Sequence, residues 1–215
     1  PRFEVEMSHL ISSLSHRIAC RLQAFLRNHR GVAMVEFAML LPLLMLLTAG
    51  SFEVARYALM TQKLDRITAT LSDLIARSGN EAITETEIAN IIDSALFMAQ
   101  PFDISDGSVI FLTSVQGRAG QAPEILSQRT SGNLTGYNSF IGSTVGDDAT
   151  LPAAFPDAGS GETLSDGETL IIAEIVYDYS PYLTGKLGFF GDMALRARAY
   201  FRPRFTDTIT FPASP

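Results

Sequence analysis

Few residues in this chain are equipped for chemistry. Its three histidines, His9, His16 and His29, and its single cysteine, Cys20, all fall in the first thirty positions. Everything after them lacks the usual general base and the commonest metal ligand. One cysteine can form neither an intramolecular disulfide nor a multi-cysteine zinc site. No G-x-S-x-G, H-E-x-x-H, C-x-x-C or phosphate-cradling glycine loop occurs. Asp147, Asp148, Asp157, Glu162, Asp166 and Glu168 form an acidic stretch without EF-hand spacing, which reads as a solvated loop. Asp103-x-Ser105-x-Gly107 falls one serine short of a D-x-S-x-S metal motif. The expectation is a non-enzymatic protein with no cofactor and no metal.

One ionisable residue stands where its chemistry needs a reason. Val32 to Phe52 reads VAMVEFAMLLPLLMLLTAGSF, and Glu36 is its only charge. As a helix this stretch is about 30 Å long, the thickness of a bilayer's hydrocarbon core. A carboxylate inside that core costs about 2.5–3.5 kcal/mol on insertion scales. Pro42 should kink the helix, which membrane helices tolerate. The alternatives are a buried core helix and a secretory signal cleaved near Ala49-Gly50. The basic flank argues against the first; the carboxylate, and a helical pattern that runs on past Gly50, argue against the second. Glu36 itself is either paired within the membrane or a carboxylate snorkelling at its edge.

The charges on either side set an orientation. Residues 1–31 hold five arginines (2, 17, 21, 27 and 30) against Glu4 and Glu6, a net of +3, which leaves −10 of the overall −7 on residues 32–215. A basic head, an apolar segment and an acidic body give a cytoplasmic N-terminus and an exported body. Such a body repels phosphate backbones, so no nucleic-acid partner is expected. Within the head, Ile11, Leu14, Ile18, Leu22 and Phe25 step at helical spacing. They describe either a basic amphipathic helix on the inner leaflet or a leader whose charge only fixes topology. The chain opens on proline, so Met7 is a candidate initiator.

Past the apolar stretch the helix turns amphipathic. Tyr57, Met60, Leu64, Ile67, Leu71 and Leu74 form one heptad seam, with Asp73 and Arg77 placed as an i,i+4 pair. Ser78-Gly79-Asn80 should end the helix, glycine taking the left-handed position. Residues 53–79 thus continue the spine, to pack on their own domain or on a neighbouring subunit. An ordinary anchor followed by a linker helix has the same geometry.

Arg30-Gly31 followed by Val32-Ala33-Met34-Val35-Glu36-Phe37 reads G-x-x-x-x-E-F at the junction of basic head and apolar stretch. This resembles the cleavage site of type IV pilin-like precursors of the Flp and Tad (tight adherence) subclass. The longer run RGVAMVEFAMLLPLLMLLTAGSFEVARYAL is similar to the TadE/TadG-like pilus-assembly family, with a looser similarity in IVYDYSP and FRPR. The resemblance implies cleavage after Gly31 by a prepilin peptidase, leaving Val32 first, Glu36 fifth and Phe37 sixth in the mature chain. It also implies that Glu36 neutralises a neighbour's new amino terminus, with the heptad seam serving assembly. The implied partners are the peptidase, other Tad pseudopilins and an inner-membrane pilus platform.

The exported part, 80–215, reads as a small α+β domain. Thr84-x-x-Glu87 is a capping box opening a helix whose apolar face runs from Ile88 to Ala99 before Pro101. Ser108–Gln116, Thr169–Tyr179 and Ala194–Arg202 read as strands, and Glu124–Thr130 as a fourth, inside an otherwise irregular excursion over 117–167. Glu174 and Asp178 should meet the arginines of the last strand (196, 198 and 202) in a solvated ladder. The expected fold is pilin-like: spine helix, second helix and an antiparallel sheet of about four strands. Two functions remain open. One is a minor pseudopilin or accessory subunit for Tad/Flp-type adhesive pili; the other is an unprocessed single-pass envelope protein whose exported domain binds a ligand or surface.

Overall fold

A computed structural model describes residues 31–152, 164–182 and 191–212. The basic head, with its histidines, Cys20 and the candidate amphipathic helix, lies outside the described residues, as do Asp157 and Glu162. Two compact units, Pro1–Ser51 and Phe52–Pro215, divide within the first helix.

That helix, α1, runs from Val32 to Ala76 and passes Gly50 unbroken. Pro42 lies inside it, and hydroxyls bond back to the preceding turn, Thr48 Oγ1 to Leu44 O at 2.7 Å and Ser51 Oγ to Leu47 O at 2.8 Å. From Met60 onward one stripe, Met60, Leu64, Ile67, Leu71 and Ile75, is buried. The helix ends at Ala76, and Gly79 does not take a left-handed conformation. Instead the amides of Arg77 and Ser78 close the last turn on Asp73 O and Ile75 O. The amide of Arg204 then satisfies Ala76 O at 2.9 Å. A terminal carbonyl that finds a tertiary donor needs no glycine cap.

Helix α2 spans Glu85–Ala99 and opens on the expected capping box. Thr84 Oγ1 accepts from Glu87 N at 3.3 Å, and Thr84 N donates to Glu87 Oε2 at 2.9 Å. The Thr84 amide and, at 3.0 Å, the Thr84 hydroxyl both donate to the Glu87 carboxylate and hold it below its usual range. At its other end Lys63 of α1 places its ammonium on the carbonyls of Met98, Ala99 and Gln100. A cation there offsets the negative end of the helix dipole.

The sheet holds β1 (Ser108–Arg118), β2 (Gln121–Gly132), β3 (Thr169–Tyr179) and β4 (Met193–Phe201), in the order β2-β1-β3-β4 and antiparallel throughout. β1 and β3 are central and buried along nearly their whole length, which explains their continuous apolar runs. On one face Ile110, Leu112, Ala173, Ile175, Leu195 and Ala197 join the α1 stripe and the Ile88, Ala95, Ala99 face of α2. The other face is covered by chain from the 133–152 segment, through Leu134, Tyr137, Ile141 and Ala149, together with Leu164.

The 117–167 stretch is therefore less irregular than its composition implies. β2 fills its first part, and a strand legible only from Glu124 to Thr130 runs from Gln121 to Gly132. Its inward positions are Pro123, Ile125, Ser127 and Arg129, so only one bulky aliphatic side chain marks the alternation. Gly117 lets residues 164–168 close against β1. Its amide donates to Glu168 O at 2.8 Å, and a Cβ there would stand 2.1 Å from Ser165 O.

One contact joins helix to sheet more closely than packing alone. Ser72, fully buried, donates its hydroxyl to Ala199 O and accepts from Ala173 N, both at 3.1 Å. Ala173 and Ala199 are register partners across β3 and β4, and their small side chains let the helix approach.

Candidate membrane helix and its aromatic base

The pattern Gly31-Val32…Glu36-Phe37 opens α1, with Gly31 immediately before the first helical residue. Gly31 is exposed, and among the described residues no atom lies within 4 Å of a Cβ added there. Val32 is 45% exposed and Phe37 58%. Glu36 sits on the same face as Val32, one turn along, about 6 Å by helical rise. It is exposed, and no ion pair among the described residues includes it. Every residue from Val32 to Thr48 is exposed, and the most apolar window of this helix has none of its area buried inside the protein. A helix so long, apolar and uncovered is a candidate membrane span, consistent with anchoring in a membrane.

The six seam residues do not share one environment. Met60, Leu64, Ile67 and Leu71 are each 1% exposed in the domain's own core. Of the two packings open to the seam, on its own domain or on a neighbouring subunit, these four positions take the first. Tyr57 and Leu74, at the ends, are each 40% exposed. The Tyr57 ring meets Tyr179 edge-on, with centroids 5.9 Å apart.

A cluster that sequence reasoning missed gathers around Arg56, at the start of the Phe52–Pro215 unit. Its guanidinium lies 5.5 Å from the ring centroid of Tyr179, 5.6 Å from Tyr182 and 5.9 Å from Phe102. Three rings, one following α2 and two from the end of β3 and the residues just after it, thus share one cation, each contact contributing of order 1 kcal/mol. Glu53, 7% exposed, lies 3.8 Å from the guanidinium and accepts from Tyr182 N at 2.6 Å. Burial pushes the Tyr177 and Tyr179 phenols above their ordinary range. Glu53 and Arg56 are visible in sequence only as charges beside the seam; their partners lie tens of residues away.

The other candidate charges are distributed. Glu174 is 3% exposed rather than part of a solvated ladder. It faces Arg198 at 4.0 Å and accepts from Phe140 N at 3.3 Å and from Ser139 Oγ. Arg198 in turn stacks on Phe140 at 4.1 Å. The carboxylate therefore fastens the 133–152 segment to the sheet. Asp178 is exposed, while Arg202 pairs with Glu168 at 2.7 Å. Asp73 receives both Arg77 at 2.6 Å and Arg204 at 2.7 Å. Asp148 pairs with Arg118, and Asp166 accepts from Ala119 N. Asp103 accepts from both the hydroxyl and the amide of Ser105, which lowers its pKa. Among the described residues no group of three His, Cys, Asp or Glu side chains could hold a metal ion.

No curated protein and no solved structure matches the chain. A family model does match, over residues 31–70, and its description is TadE-like protein. The match begins at Gly31, takes in Glu36 and the uncovered apolar helix, and reaches into the buried stripe of α1. Over residues 31–70 the chain is therefore similar to TadE-like proteins.

Proposed function

We propose that this chain is a non-enzymatic minor pseudopilin or accessory subunit of Tad/Flp-type pilus assembly, matured by a prepilin peptidase that cuts after Gly31. The observation that carries the reading is the TadE-like match beginning at Gly31, on an apolar stretch that is exposed from Val32 to Thr48 and holds one carboxylate. The helix anchors the protein in the inner membrane, with the basic head in the cytoplasm and the acidic α+β domain in the periplasm. Cleavage exposes an α-amino group at Val32 near the membrane surface. Glu36, in the first turns of the mature helix, then compensates a positive charge on a neighbouring subunit, which gives a carboxylate in the membrane span its reason. Other Tad pseudopilins and the inner-membrane platform are the partners in this scheme.

The test is processing. Co-expression with a prepilin peptidase should yield a chain beginning at Val32 by intact mass, and Gly31→Leu should leave the precursor. Wild-type protein that keeps residues before Val32 in a strain with active peptidase overturns maturation. An unprocessed envelope protein would then be the better reading.

A further inference from the structure

The large apolar side chains exposed on the Phe52–Pro215 unit are unevenly placed. Among its described residues, eight of twelve lie at one end. Phe52, Val54, Tyr57 and Leu59 open the unit on α1. Phe97 and Met98 close α2, tied to α1 by Lys63 on Met98 O at 3.5 Å and Ala99 O at 3.4 Å. Tyr182 is tied to Glu53 through its amide, and Met193 pairs with Tyr179 in the sheet. Phe97, at 73%, and Val54, at 69%, are among the most exposed. Single exposed apolar residues need no explanation, but a contiguous group marks an interaction surface. Arg56, among Phe102, Tyr179 and Tyr182, locks the three contributing segments together, so the surface is held in place before it meets anything.

We infer that this end of the domain docks on the bilayer, its exposed aromatic and aliphatic side chains entering the headgroup layer of the leaflet from which the domain emerges. The inference rests on the membrane reading of residues 32–52 given above. Chain connectivity selects the lipid surface over a soluble partner. The unit begins at Phe52, directly after the apolar stretch, so this end cannot leave the membrane surface. The chemistry agrees, because tyrosines and cations with long apolar stems are the residues that sit at a bilayer interface. Arg56 and Lys63 are already engaged here, Arg56 with Glu53 and Lys63 on the carbonyls that end α2, and Asp103 follows Phe102, so the contact rests on the apolar side chains rather than on charge. An open cleft of about 440 Å³ beside Phe97 is lined by Leu96, Pro101 and Phe102 together with Gln100 and Asp103, a mixed lining that suits the headgroup layer rather than the acyl chains.

The chain contains no tryptophan, so one introduced indole reports depth without background. Full-length protein carrying Leu44→Trp, Phe97→Trp or Phe205→Trp is reconstituted in phosphatidylglycerol–phosphatidylcholine vesicles with lipids brominated near the headgroup or deep in the chain. Phe205 is the control, because Arg204 binds Ala76, some 20 residues or about 30 Å along α1 from Arg56. The expected result is deep quenching at Leu44→Trp. Phe97→Trp should be quenched by headgroup-proximal bromine at least about twofold more than Phe205→Trp, as for an interfacially buried side chain. Equal quenching at 97 and 205, with Leu44→Trp quenched, overturns docking and leaves the span intact. No quenching at Leu44→Trp removes the span, and docking with it. Shielding of Phe97→Trp that disappears on dilution with lipid assigns the surface to a second copy and overturns the bilayer as its occupant.

Discussion

Leu64→Ala separates the two roles that a heptad seam can have. Leu64 is 1% exposed, inside a core shared with Ile67, Leu71, Leu112, Ile175 and Leu195. Truncating such a leucine costs the transfer of the lost methyl groups plus the cavity they leave, about 3 kcal/mol where the surroundings relax only partly. Against a total stability of about 5–15 kcal/mol this is a large fraction. At about 2–4 °C per kcal/mol for a unit of this size, the melting temperature should fall by about 6–12 °C. The assay is thermal unfolding of the full chain in detergent, followed by far-ultraviolet circular dichroism, with Leu59→Ala alongside. Leu59 is 54% exposed on the same helix, so its truncation should stay within about 0.5 kcal/mol of wild type. A Leu64→Ala protein that melts like wild type yet fails to associate with other subunits would refute intrachain burial of the seam and return it to an assembly role.

Ser72→Ala should destabilise the domain by about 2 kcal/mol in the same assay, because it leaves the buried Ala173 amide without its acceptor and Ala199 O without its donor; an unchanged melt would mean the strands close the gap themselves. Thr84→Ala removes the capping box of α2 and should cost about 1 kcal/mol, measured as a shift in the urea midpoint. Burial raises the phenol pKa of Tyr177, Tyr179 and Tyr200 above 10.0 in the folded state. The stability they contribute is therefore complete below about pH 10 and lost as pH rises through the folded values, so the urea midpoint should drop as pH rises past about 10, and less steeply in Tyr200→Phe. Glu36→Leu removes the insertion cost, so the variant should be made, inserted and cleaved, yet fail to restore pili to a deletion strain; normal piliation would reduce Glu36 to a tolerated interfacial carboxylate.

What could be read from the sequence was whatever a local pattern carries. The α2 capping box involves residues three apart, and β1 and β3 are apolar because both faces are covered. Both elements were legible to within a residue or two. β2 was cut short because Ser127 and Arg129 occupy its inward positions, where alternation would need aliphatics. The Gly79 cap was wrong for a related reason: the carbonyl it would have served is satisfied by Arg204, more than a hundred residues away, and no local rule reports such a donor. Glu174 looked like half of a solvated ladder. Its burial depends on Ser139 and Phe140 folding over it, from a segment whose composition reads as loop. At the candidate site the same division holds. Gly31, Val32, Glu36 and Phe37 form a contiguous motif, and the family match starts at its first residue. The Arg56 cluster draws on residues 53, 102, 179 and 182, and only the fold brings them together.

The burial of Met60, Leu64, Ile67 and Leu71 limits how copies of this chain, or its partners, can pack along α1. A helix with one face given to its own sheet can offer a neighbour only the faces left over. From Phe52 to Gln62 that remainder is Phe52, Val54, Ala55, Tyr57, Ala58, Leu59 and Gln62, with Gln62 and the Tyr57 hydroxyl its polar groups. Before Phe52 it is the whole circumference, with Glu36 as its single charge. Recognition between helices in lipid cannot draw on the hydrophobic effect, since acyl chains are as apolar as leucine. It must come from close packing of small residues or from a polar group that lacks a partner. In the span the small residues are Ala33, Ala38, Thr48, Ala49, Gly50 and Ser51; the Thr48 and Ser51 hydroxyls bond back to the preceding turn, which leaves Glu36 as the polar group. Specific association along the membrane helix therefore depends on one carboxylate more heavily than a helix buried on no side would require, and Glu36, rather than the seam, is where a loss of assembly should first appear.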